Sequence, residues 1–132
     1  GRPVWADTQL GDSWNKISFD QIAAWDADHI YITAYFDDTE QVVAQLKDNT
    51  EWQELRAVQD SHLYAFPGDF YSWDQPDTRW VLGLTWLAKQ LHPARLPDLD
   101  LMAEVHAFYE ELYDMDPDAY QAIQTRLTGD LP

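Results

Sequence analysis

The apolar positions of the chain change period from segment to segment, and each period predicts an element. His29-Ile30-Tyr31-Ile32-Thr33 is a β-branched and aromatic run, the pattern of a strand buried on both faces. Leu63-Tyr64-Ala65-Phe66 is a second such run, closed by Pro67-Gly68. Around these runs the spacing turns helical. Ser18 before Phe19-Asp20-Gln21 gives an N-cap with a glutamine at the third helical position, opening a short helix to about Trp25 that Asp26-Ala27-Asp28 breaks. Asp37, Asp38 and Glu40 place negative charge where the dipole of a second helix favours it, and Val42, Val43 and Leu46 give that helix an apolar face. Trp52, Leu55 and Val58 predict a further short helix.

Pro76 stands near the first turn of a long helix over about Asp77 to Leu91, with Val81, Leu84, Leu87, Ala88 and Leu91 at helical spacing. Its tryptophans, Trp80 and Trp86, are assigned with this face to the core. His92-Pro93 stops the helix, and two more follow over about Leu101 to Tyr113 and Pro117 to Leu127. Thr128 to Pro132 reads as a terminal tail. Residues 1 to 15 are turn-rich and read as an irregular segment pinned by Trp5, Leu10 and Trp14, with at most one short strand.

Strands alternating with helices predict an α/β fold, a three-layer α/β/α sandwich around a mainly parallel, Rossmann-like sheet. Ligands of such sheets bind outside the carboxyl ends of the strands. Two loops leave those ends, Ala34-Tyr35-Phe36-Asp37 and Pro67 to Trp73. With the strands parallel, both loops open on one edge, and Tyr35, Phe36, Phe70, Tyr71 and Trp73 converge there. The competing reading packs these rings on the domain itself, with Phe70 the one that turns inward most readily.

Composition narrows the function. The chain has 132 residues, enough for one domain that buries about two-thirds of its unfolded surface. It has no cysteine, so disulfides, thiolate metal sites and thiol nucleophiles are excluded. The 24 acidic against 8 basic residues give a formal charge of −16, which opposes binding to nucleic acid or to an anionic membrane surface. No apolar run approaches the ~20 residues of a membrane-spanning helix, so direct membrane insertion by this chain is not expected. The chain opens on Gly1 with no basic-then-apolar leader, and reads as an excised piece of a longer protein.

The succession "KISFDQIAAWDADHIYIT", "WQELRAVQDSHLYAFP" and "WLAKQLHP" resembles the C-terminal lobe of class III periplasmic binding proteins, the iron-siderophore and cobalamin type of ABC importer. The resemblance runs from about Trp14 to Tyr113 and rests on the order and spacing of its motifs. It implies that residues 1 to 132 are one lobe of a two-lobed extracytoplasmic protein, often lipid-anchored, with the other lobe and the linking helix upstream. A metal chelate such as a ferric siderophore, haem or cobalamin would be held between the lobes and handed to a membrane permease. No cofactor and no bond chemistry are implied. Carried over by position, Asp69, Phe70, Tyr71 and Trp73 become ligand-facing, with Tyr35 and Phe36 in the neighbouring loop. Asp20 stands where the family places a glutamate that docks on the permease, and Ala27 stands where the family has proline.

Each signal has a plainer counterpart. An acid in a first helical turn, such as Asp20, is stabilised by the dipole without any partner. His29, His62, His92 and His106 show no metal-ligand spacing, and a metal site made by protein ligands alone is not expected. Asp69, Asp74 and Asp77 could serve acid/base chemistry in an α/β hydrolase, but no Gly-x-Ser-x-Gly, cysteine or Gly-rich phosphate loop accompanies them. The other alternative is a protein-interaction domain using an exposed aromatic face.

Overall fold

A computed structural model describes residues 1–8, 10–11 and 14–132. The elements follow in the order α1 (Phe19–Trp25), β1 (Ile30–Ile32), α2 (Thr39–Asp48), α3 (Arg56–Gln59), β2 (Leu63–Ala65), α4 (Trp80–Leu91), α5 (Leu101–Tyr113) and α6 (Pro117–Gln124), with 3-10 turns at Trp52–Glu54 and Pro93–Arg95. Local chemistry sets the helix starts. Ser18, Asp38, Asp100 and Asp116 each accept a hydrogen bond from the backbone N–H three residues on, satisfying donors that a first helical turn leaves free. α1 ends at Asp26 in the left-handed conformation (φ 43°), which short polar side chains tolerate.

β1 and β2 pair in parallel, with Ile30 opposite Leu63, Tyr31 opposite Tyr64 and Ile32 opposite Ala65. The period-2 alternation of a strand then sorts the side chains into two layers. Ile30, Ile32, Leu63 and Ala65 face α2 and the turn before α3, where they meet Val43, Leu46, Trp52 and Val58. Tyr31 and Tyr64 face the other way, onto a larger core of Trp73, Leu82, Trp86, Leu101, Val105, Phe108, Tyr109, Tyr120 and Ile123. Helices thus cover both faces of a parallel sheet, the expected three-layer arrangement, although the sheet has two strands among the described residues.

Two expectations are corrected. The tail is part of the sheet layer. Asp130 donates its N–H to the Ala65 carbonyl and accepts the Ala65 N–H on its side chain, so residues 128 to 130 line the edge of β2 that β1 leaves free. The core face of α4 is also turned from the expected one. Leu82, Gly83 and Trp86 are buried, whereas Trp80, Val81 and Leu84 are exposed. α4 is apolar nearly all round, so spacing alone does not orient it. Close contact does: a Cβ on Gly83 would lie 2.6 Å from the Trp73 carbonyl oxygen, and only glycine lets that side approach the loop.

Candidate functional site

Parallel pairing puts the carboxyl ends of β1 and β2 side by side, so the loops 33–38 and 66–79 leave the sheet together. The Tyr35 hydroxyl ties them by donating to Asp74 at 2.5 Å. Burial and the Asp74 carboxylate both raise the Tyr35 pKa, keeping the phenol protonated.

The second loop is built around Asp69. Its side chain is wholly buried and accepts from Arg79 Nη1 at 3.0 Å, from the Trp73 indole N–H at 3.1 Å, from its neighbour's backbone Phe70 N–H and from the Tyr109 hydroxyl. Burial foremost, and then the Asp69 carboxylate, pushes the Tyr109 phenol well above its ordinary range. Arg79 also grips Asp77 through Nη2 at 2.5 Å, holding the Asp77 carboxyl below its usual pKa. A guanidinium forked between two carboxylates fixes the loop against the start of α4.

This arrangement divides the sequence-predicted residues into two groups. Tyr35, Phe36, Phe70 and Tyr71 present rings to solvent, at 41%, 98%, 51% and 65% exposure. Trp73 is 1% exposed, and Asp69 lies beneath the loop. The inward ring is therefore Trp73 rather than Phe70, because its N–H reaches the buried carboxylate and its ring fills the core against α4. In this structure Asp69 and Trp73 hold the second loop, and the four other residues lie on the outer faces of the two loops. Asp20 is exposed in the first turn of α1. Asp69, Asp74 and Asp77, the acids considered for catalysis, are each engaged by a phenol, an indole or a guanidinium.

Three further residues border the mouth. Trp14, read as a pin of the N-terminal segment, is 83% exposed and meets Tyr35 edge-on at 5.9 Å between ring centroids. The Arg79 guanidinium lies 5.1 Å from the Tyr71 ring but is committed to Asp69 and Asp77. Arg126 places its guanidinium 4.6 Å over Phe70. No local signal marks Arg126, since the contact depends on the tail returning beside the loop. A concavity of about 630 Å³ between the end of α4 and the tail is lined by Trp86, Lys89, Leu101 and Leu131 among others, and includes no residue of either mouth loop.

Comparison with known proteins supplies the family. The chain belongs to the periplasmic binding protein family, whose model matches residues 1–70. It is 28% identical over 101 residues to the molybdate-binding protein MolA of Haemophilus influenzae, which covers 76% of this chain and 28% of that protein. A crystal structure of a periplasmic solute binding protein from Veillonella parvula shares the fold, with a TM-score of 0.69 and 24% identity, over 91% of this chain and 37% of that one. The chain thus spans about a third of the length of these relatives.

Proposed function

We propose that this chain is the C-terminal lobe of a two-lobed extracytoplasmic solute-binding component of an ABC importer, and that the mouth of loops 33–38 and 66–79 forms its half of the ligand cleft. The observation that carries this reading is that Tyr35, Phe36, Phe70 and Tyr71 are all exposed on the two loops that leave the carboxyl ends of two parallel strands, loops tied together by the Tyr35–Asp74 hydrogen bond. Exposed rings on a braced frame offer flat apolar area at little ordering cost, which suits a chelate with apolar or π surface. Family membership supports capture and release without bond chemistry. The ligand would be a metal chelate of ferric siderophore, haem or cobalamin type, delivered to a membrane permease that meets Asp20 on α1.

The likeness to a molybdate-binding protein favours a second cargo, a metal oxyanion. The two are separated by a thermal-shift screen of the full-length protein against ferric siderophores, haem, cobalamins and molybdate. A ligand at about 100 times its dissociation constant adds about 2.7 kcal/mol of stability. A clear shift lost in Tyr71→Ala supports the mouth as the binding face and names the cargo. No shift with any of these ligands would contradict the reading and turn attention to a protein partner for the aromatic face.

A further inference from the structure

We infer that Arg126 is the anion-recognising residue of this mouth, so that the ligand presents a negatively charged oxygen group beside its flat or apolar surface; the inference rests on the solute-binding reading above. Three observations converge on it. The first is position. Thr128 exchanges backbone hydrogen bonds with Gly68, at 2.9 and 3.2 Å, at the base of the second loop, and this carries Arg126, two residues earlier, over the exposed ring of Phe70.

The second is availability. Arg79 has its guanidinium divided between Asp69 and Asp77 and is largely buried, so it cannot turn to a ligand without stripping a buried carboxylate. Arg126 is exposed, and no carboxylate among the described residues pairs with it. Its guanidinium lies on the Phe70 face, which holds a cation without using its N–H donors.

The third is charge. In a chain with 24 acidic and 8 basic residues, a guanidinium that no carboxylate takes up and that lies on a mouth ring is a scarce positive group. It supplies a planar, two-pronged donor set suited to a carboxylate, a catecholate or an oxyanion. A free oxyanion and an anionic chelate share this chemistry, and the choice between them is made by experiment.

The test titrates the full-length protein by calorimetry with molybdate, ferric citrate, the cationic chelate ferrioxamine B and cyanocobalamin, comparing wild type with Arg126→Gln and Arg126→Lys. The expected result is binding of molybdate or ferric citrate that weakens about tenfold or more in Arg126→Gln, is partly restored in Arg126→Lys and loses salt sensitivity in Arg126→Gln, with the melting midpoint unchanged. Equal affinity of wild type and Arg126→Gln for the anion overturns the inference and leaves the solute-binding reading standing. Binding of ferrioxamine B or cyanocobalamin alone, unaffected by Arg126→Gln, does the same. Failure of both anions to bind overturns the inference, while the solute-binding reading falls only if ferrioxamine B, cyanocobalamin and the haem of the thermal-shift screen fail as well.

Discussion

Removing the Arg79 guanidinium would leave the Asp69 carboxylate buried with no opposing charge, while Asp77 would lose its partner as well. Breaking a buried pair from one side costs about 3–5 kcal/mol, so Arg79→Ala should lower the denaturant midpoint by a corresponding amount. Asp69→Asn keeps a hydrogen-bond acceptor and leaves Arg79 on Asp77, and should cost clearly less. Equal losses in both variants would show that the pair is not the brace described. A second residue-scale prediction concerns His29, which stacks on His62 at 4.3 Å between ring centroids across the strand pair. Burial foremost, then the neighbouring His62, lowers the His29 pKa below 6.5, with Asp28 opposing. The buried His29 Nδ1 has no hydrogen-bond partner, so an added proton there would find no acceptor. A histidine whose folded pKa is depressed contributes stability that is complete above pH 6.5 and is lost as pH falls through the lowered folded value. Denaturant midpoints measured from about pH 7.5 to about pH 5.5 should fall, and His29→Phe should flatten that slope. The Asp77 contribution belongs to a lower window, lost as pH falls through a pKa held below 3.8.

At the scale of elements, the helices whose caps and spacing agree were legible. Ser18 caps α1 as its sequence predicts, and α2, α4, α5 and α6 occur where periodicity puts them, with ends shifted by a few residues. The orientation of α4 was not legible, because a helix apolar on most sides gives no unique inward face. It is set by the long-range approach of Gly83 to the Trp73 carbonyl and the Phe66 ring. Gly83→Ala should therefore destabilise by about 1–3 kcal/mol despite the better helix propensity of alanine, since a backbone oxygen 2.6 Å away cannot rotate aside. A neutral or stabilising Gly83→Ala, read by thermal melting, would show that α4 can retreat from the loop. Gly129 belongs to the same class of position. Its φ of 89° and the Pro67 Cα 2.6 Å from a built Cβ let the tail lie flat beside the end of β2. Nothing in the local sequence of residues 128 to 132 announces that role, so the tail read as a terminus.

For the whole molecule, the parallel sheet covered on both faces followed from the alternation of strand-like and helix-like runs, and so did the meeting of the two loops at one edge. Which rings face outward did not follow. Phe70 and Trp73 are both large and apolar, and the choice between them follows a buried carboxylate to which, of the two rings, only the indole can donate. Arg126 and Trp14 were beyond reach for a related reason, since each joins the mouth by a contact between distant parts of the chain. The chain spans about a third of its relatives' length, and a cleft between lobes would draw only half its contacts from here. Residues 1 to 132 alone are therefore expected to show no detectable affinity for a ligand that the full-length protein binds, in a side-by-side calorimetric titration.

We propose that loops 33–38 and 66–79 enclose a small solute. Hydrogen exchange of the full-length protein, followed with and without molybdate, ferric siderophores, haem and cobalamin in turn, tests it most directly. One of these should slow exchange at Tyr35, Phe36, Phe70 and Tyr71 together and leave α1 unchanged. Binding that protects other segments while both loops exchange as before would contradict it.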